Sequence, residues 1–278
     1  MKKKINRNNN ILSVIIGSLA VVFIMPIIVI LYNSLKSKLY ISNAPFALPN
    51  SESFVGIKNY LNGLEKTGLI KAFGWSLFIT IFSVALILIG TSMTAWYIAR
   101  TKNKGVSMLY YLFVFAMIVP FQMVMFTMSK MANMLYLDNP VGIIFIYLGY
   151  GAGLSVFIFS GFVKSIPIEI EEAAYIDGCT PLQTYYKVVF PLMKPTTITV
   201  AVLNTMWVWN DYLLPTLVLP SEVKTIPMAI QYLRGGYGSI DMGDMMAMLV
   251  LAIIPIIIFY LTCQKHIIGG VAAGAVKG

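Results

Sequence analysis

Between Ile11 and Tyr32 the chain runs for 22 residues without a charged side chain. A helix of that length, at about 1.5 Å rise per residue, spans the roughly 30 Å hydrocarbon core of a bilayer. Five further segments have the same character: Phe73 to Ala99, Val106 to Met128, Val141 to Phe162, Thr197 to Leu219 and Met245 to Cys263. Lipid offers no partner for a bare peptide group, so such segments must close their hydrogen bonds internally as helices. The expected fold class is all-α, a polytopic membrane protein with six transmembrane helices. With 58% hydrophobic and 11% charged residues in 278, against about 25% charged in ordinary globular chains, the whole of 1–278 reads as one membrane domain. The start "MKKKINRNNN" before an apolar run has the look of a signal peptide, but the run exceeds an h-region and no A-x-A site follows, which favours an uncleaved anchor.

The formal charge of +9 does not point to nucleic acid, because the basic residues gather at span ends and not along one amphipathic face. Lys2, Lys3, Lys4 and Arg7 precede the first span, and Arg100, Lys102 and Lys104 fill the short link after the second. By the positive-inside rule both belong in the cytoplasm, which with six crossings places both termini there and the membrane lipid on all sides. Of the 20 Lys and Arg residues, 12 then fall inside and 8 outside. Cys179 and Cys263 fit neither a disulfide framework nor a metal spacing, and His266 has no partner for a triad. No metal site, bound cofactor or catalytic group is expected.

One segment breaks the apolar pattern. Residues 163–196 hold Glu169, Glu171, Glu172 and Asp177 with a glycine and several prolines. Ser165 and Pro167 can open a short helix whose early acids suit the helix dipole, and Gly178 is placed to end it in a left-handed cap. Thr180, with Pro181 next and Gln183 three residues on, reads as a capping box opening a second helix. Leu182, Tyr185, Tyr186, Val189 and Phe190 then share one apolar face. From periodicity alone the pair reads equally as a docking element or as an interfacial pair lying in the headgroups.

The residues Glu172-Ala173-Ala174, three more, Gly178, nine more, and Val188-x-Phe190-Pro191 closely resemble the EAA signature of binding-protein-dependent ABC importer permeases. The six spans, "WVWNDYLLP" from Trp207 and the terminus "IGGVAAGAVKG" are similar to sugar permeases of the maltose and multiple-sugar type. The resemblance implies a type I ABC importer transmembrane domain in a bacterial or archaeal cell (inner) membrane. It implies that 163–196 is the coupling-helix loop, with Glu172, Ala173, Ala174, Asp177, Gly178 and Pro191 engaging an ATPase subunit. It further implies a second homologous permease, with a heterodimer favoured, two ABC ATPase subunits that bind ATP and Mg, and an extracytoplasmic sugar-binding protein. The tail 264–278 reads by composition as flexible; the resemblance gives Gly269, Gly270, Gly274, Lys277 and Gly278 an ATPase-docking role. Likewise Gly235, Gly236, Tyr237 and Gly238 lie in an external loop that reads as flexible and that the resemblance turns toward the binding protein.

Asp211 falls inside the fifth apolar segment, where an unsolvated carboxylate costs about 2 to 3 kcal/mol. Together with Trp207, Trp209, Asn210 and Tyr212 it can line a sugar path, since polyols offer hydroxyls to amides and acids and C–H faces to rings. Packing against another span, or a place near the external surface, accounts for the same residues. There is no Walker A loop, so the chain is not expected to be an enzyme. The rival reading is a gradient-driven secondary carrier, which often holds ionisable residues at midplane and broken spans.

Overall fold

The computed structural model describes residues 7–231, 233 and 241–275. In chain order the helices are α1 (Arg7–Asn33), α2 (Lys38–Asn43), α3 (Lys58–Thr67), α4 (Leu69–Arg100), α5 (Lys104–Ile118), α6 (Phe121–Met134), α7 (Gly142–Val163) and α8 (Ile168–Ile176). They continue with α9 (Pro181–Thr184), a π-helical stretch (Tyr185–Val189), α10 (Phe190–Leu192), α11 (Lys194–Asn210), α12 (Leu213–Val218), α13 (Ile226–Gln231) and α14 (Met242–Ala275). Among the described residues there is no β-strand, only an isolated bridge between Lys36 and Phe54.

Among the described residues, four helical stretches are long and apolar enough to cross a membrane, Leu12–Asn33, Leu69–Arg100, Gly142–Val163 and Met242–Gln264. Two bent pairs raise the number to six if each crosses once. Two of the six apolar segments read from the sequence are broken and are not single continuous helices. Val106 to Met128 is divided between α5 and α6, which meet at 105°. Pro120 is the cause: its ring drives Val119 to an extended ψ of 116° and leaves no N–H to continue the ladder. Thr197 to Leu219 is likewise two helices, because α11 stops at Asn210 and Asp211 turns to ψ 129° before α12. At its other end α11 follows Pro181–Leu192 through a 77° bend. The last span runs on as helix through Gly269, Gly270 and Gly274 to Ala275, where composition suggests a loose tail.

The chain forms two compact units, Met1–Ile70 with Ala229–Pro255, and Lys71–Met228 with Ile256–Gly278. In the first, the turn after α1 is closed by buried polar groups. Asn59 Nδ2 donates to Ser34 O and Lys36 O, each at 2.8 Å. The buried Lys36 ammonium donates to Ala44 O at 2.8 Å and Ala47 O at 2.9 Å, and burial pushes its pKa down. Carbonyl dipoles, not a carboxylate, hold that charge.

Lys66 bridges two acids, with Nζ 2.5 Å from Asp241 Oδ2 and 2.6 Å from Asp244 Oδ2. Those bonds push the Lys66 pKa up to about 12 from 10.5. Burial raises Asp241, but the hydrogen bonds with Lys66 and Asp244 and the charges of Lys66 and Lys38 together outweigh it, and the carboxyl titrates below its ordinary 3.8. The raised lysine contributes stability that is complete below pH 10.5 and lost as pH rises through about 12. The depressed Asp241 contributes above 3.8 and loses it as pH falls through its folded value. Thermal stability of the solubilised protein is therefore expected to be level in this respect up to about pH 9 and to fall in strong alkali, as Lys66 loses its proton. Lys66→Met should remove that alkaline limb. Melting curves at stepped pH check it; an alkaline limb unchanged in the variant removes the ion pair from the stability balance.

The second unit has two apolar clusters strung along α4 and α7. One gathers Ala95, Ile98, Val156, Phe159, Val163 and Ile166 with Tyr185, Val189, Met193 and Val200. The other joins Ile79, Ile143 and Tyr147 to Val208, Leu214, Val218 and their neighbours. The first lies under the polar segment, the second beside Asp211. Close approach of α5 to α7 rests on Gly153, where an added Cβ would come within 2.8 Å of Phe113 O.

Candidate functional site

The polar segment is two short helical pieces joined by a left-handed turn. Pro167, at φ −57° and ψ 133°, opens α8, and the acids Glu169 and Glu171 stand in the first turn, where the helix dipole favours them. Gly178 closes it at φ 83°, a conformation that costs an ordinary L-residue about 1 to 2 kcal/mol. The capping box is present: Thr180 accepts from Gln183 N, and Gln183 Oε1 accepts from Thr180 N at 2.9 Å.

What holds this pair in place is Glu171, which the sequence pattern presents only as an early acid. Its carboxylate is buried and accepts from Trp96 Nε1 at 2.9 Å and from Arg100 Nε at 2.8 Å. Arg100 Nη2 lies 2.7 Å from Glu171 Oε1 and donates to Ile166 O at 2.9 Å. One guanidinium thus ties the end of α4 both to α8 and to the strap before it. Tyr185 adds a second tether, its hydroxyl 2.6 Å from Ser92 Oγ and its ring 5.4 Å from Trp96. The signal that points to Glu171 is an arginine in the last turn of α4, but no local spacing joins residues 71 apart.

The neighbouring motif residues point outward. Glu172, Ala173, Asp177, Gly178 and Pro191 are exposed, and Ala174 is buried. The apolar face read from Leu182, Tyr185, Tyr186, Val189 and Phe190 is divided, which is a correction. Tyr185 and Val189 are buried, whereas Leu182 and Tyr186 are more than half exposed. The reason is the π stretch, whose wider turn displaces the register expected of an α-helix. Ile176 is 87% exposed beside Gly178. The segment therefore offers water both acids and apolar side chains, while its other side is locked into the core.

The second candidate cluster is organised by Asp211. Its Oδ2 accepts from the buried Tyr147 hydroxyl at 3.0 Å, and its Oδ1 accepts from Leu213 N at 3.0 Å. The carboxylate therefore caps α12 and fastens it to α7. Trp207 meets Tyr147 edge-on at 5.4 Å, and Trp209 is buried against Phe73. Asn210 bonds Met206 O at 2.7 Å, and it is exposed, as is Tyr212. The five residues are neighbours along the chain but face different ways: Trp209 into the core, Asn210 and Tyr212 away from it.

Gly235, Gly236, Tyr237 and Gly238 lie outside the described residues, as do Lys277 and Gly278. Gly269, Gly270 and Gly274 belong to the helical backbone of α14. Among the described residues no group of His, Cys, Asp or Glu is arranged to hold a metal ion.

The described residues form a helical domain with several membrane-length helices and a braced, exposed acidic loop. The chain belongs to the family described as binding-protein-dependent transport system inner membrane component, whose model matches residues 87–272. It is 40% identical over 261 residues, 93% of either chain, to the probable starch degradation products transport system permease protein AmyC of Thermoanaerobacterium thermosulfurigenes. It is 36% identical to the multiple sugar-binding transport system permease protein MsmG of Streptococcus mutans, over 92% of this chain and 93% of that one. Among solved structures it is similar to a chain of a bacterial ABC transporter involved in the import of the acidic polysaccharide alginate, with a TM-score of 0.76 and 26% identity over 94% of this chain and 98% of that one. The fold class expected from the sequence, a type I ABC importer transmembrane domain, agrees with this neighbour.

Proposed function

We propose that this chain is the membrane-spanning permease subunit of an ATP-driven importer of sugars, oligosaccharides in particular. The relatives named for starch products and multiple sugars support the substrate class. The observation that carries the mechanism is the segment from Glu172 to Pro191, exposed on one side and tied through Glu171 to Arg100 on the other. Such a segment passes force in both directions. Two ATPase subunits, closing on ATP and Mg, draw it with them; Arg100 and the core beneath carry the displacement into α4 and α7. The permease pair, two different homologous chains, then opens outward to receive sugar from an extracytoplasmic binding protein. Hydrolysis and product release restore the inward-facing state, so nucleotide at one site and cargo at another bias one two-state equilibrium. Both termini lie in the cytoplasm in this arrangement, in keeping with the basic residues at Arg100, Lys102 and Lys104. The tail glycines dock on the ATPase, and the stretch from Gly235 to Gly238 meets the binding protein.

The test is a mild-detergent pull-down from native membrane with mass spectrometry. Recovery of an ATPase, a second permease and a binding protein supports the importer. Recovery of this chain alone, repeated after crosslinking, favours a gradient-driven carrier instead.

Two substitutions probe the parts. Gly178→Val strains the left-handed turn by about 1 to 2 kcal/mol and is expected to lower sugar taken up per ATP hydrolysed in proteoliposomes; unchanged coupling removes the turn from the mechanism. Asp211→Asn keeps an acceptor for the Leu213 N–H and reverses the Tyr147 contact, the amide Nδ2 donating to the hydroxyl oxygen, so stability should change by about 1 kcal/mol, while uptake falls several-fold if the residue faces the sugar. Uptake equal to wild type for every substrate leaves Asp211 as a cap alone.

A further inference from the structure

The ends of α4, α5 and α7 border an open cavity of about 720 Å³ that takes no residue from the stretch Glu172 to Pro191. Lys102, Lys104 and Lys164 all line it, with Thr101 and Ser107 adding hydroxyls, and no lining residue is acidic. The Lys164 ammonium stands 5.3 Å from the centre of the Tyr110 ring, which also lines the cavity. Three cations in one concavity, with no carboxylate among its walls, call for an anion with several acceptor oxygens.

Position and the apolar wall narrow the choice of anion. Lys102 and Lys104 sit in or next to the link between two membrane helices, and Lys164 directly follows α7, so the cavity opens at headgroup depth. Met108 and Tyr111 form part of its wall. From there an uncovered apolar stripe descends α5 at helical spacing: Met108 (63% exposed), Tyr111, Leu112, Phe115 (64%) and Ile118 (67%). A soluble phosphate has no use for such a stripe. A phospholipid does, with its phosphate among the lysines and an acyl chain along α5.

We propose that this cavity is a binding site for the phosphodiester headgroup of an anionic phospholipid, with α5 guiding one acyl chain. Arg100, immediately before Thr101, is the residue that grips Glu171. A lipid held here therefore rests on the same short link that anchors the outward-facing loop. The inference does not depend on which sugar is carried or on which leaflet the loop faces.

The experiment is native mass spectrometry of the complex purified from its membrane, delipidated and titrated with phosphatidylglycerol or phosphatidylcholine. Wild type is expected to retain phosphatidylglycerol selectively. The triple variant Lys102→Gln/Lys104→Gln/Lys164→Gln should weaken that retention by about tenfold or more, and the matching triple Lys→Arg variant should keep it. Lys187→Gln/Lys194→Gln, which removes two lysines outside the cavity, should leave it within about twofold. Equal retention by wild type and the triple Gln variant overturns the site. Equal loss in the Lys187/Lys194 variant overturns it too, since general surface charge then suffices. Displacement of the lipid by millimolar glycerol 3-phosphate assigns the cavity to a soluble phosphate and overturns the lipid.

Discussion

Glu171→Ala is expected to be the most damaging single change in the loop, lowering stability by about 3 to 5 kcal/mol. The carboxylate is buried, and removing it leaves Arg100, with its side chain 17% exposed, and the Trp96 N–H facing a void. An uncompensated guanidinium in that position costs more than the loss of the pair itself. The sign of the effect can be isolated with a partner change. Arg100→Met with Glu171→Ala removes both charges, so the double variant should be less destabilised than the sum of the two, with a coupling of about 0.5 to 3 kcal/mol. Denaturation midpoints of the four solubilised proteins close the cycle. Glu171→Gln separates the roles further, because the amide still accepts from Trp96 but gives the guanidinium no charge. Additive single changes would mean that the pair is a bystander, and the bracing role assigned to it fails.

Gly153→Leu is expected to part α5 from α7. A Cβ at this position already stands 2.8 Å from Phe113 O and 3.1 Å from Met117 Cβ. The first contact is backbone, so no rotamer change relieves it, and the helix itself must move. Overpacking of this kind costs about 1 to 3 kcal/mol or more, and small residues are what allow membrane helices such close approach. Gly149→Leu serves as the control, since nothing lies within 4 Å of its added Cβ. Yield of folded protein and its denaturation midpoint should drop for Gly153→Leu and stay near wild type for Gly149→Leu. Equal behaviour of the two would place the α5–α7 contact outside the stability of the unit.

Features fixed by nearest neighbours were legible in the sequence. The apolar runs mark out the long helices because lipid imposes a length, and the capping box of Thr180 with Gln183 and the left-handed Gly178 follow from local backbone needs. Hydropathy could not show the breaks. Pro120 and Asp211 were both visible as letters, yet each sits inside a run whose average polarity stays low, and averages do not register a turn. Tertiary partnerships were further from reach. Nothing near Glu171 names Trp96 or Arg100, nothing near Lys66 names Asp241 and Asp244, and Lys36 reads as an ordinary external charge until Ala44 and Ala47 fold over it. In the α14 segment, glycine and alanine suggested looseness where the backbone simply continues as helix. Small residues permit several conformations, and composition does not say which one their neighbours select.

The π stretch from Tyr185 to Val189 makes chain length a carrier of information in this loop. Turning more slowly than an α-helix, at roughly 4.4 residues per turn, it puts Leu182 and Tyr186 in the open while Tyr185 stays sealed below. Replacing a side chain there alters what the exposed surface is made of. Removing one residue would do something different in kind: the helix would tighten, the upstream turn would swing round, and a set of side chains facing outward would be exchanged for another. The loop therefore stores the identity of its exposed surface in a count of residues as much as in their chemistry, and its alphabet can drift more freely than its spacing.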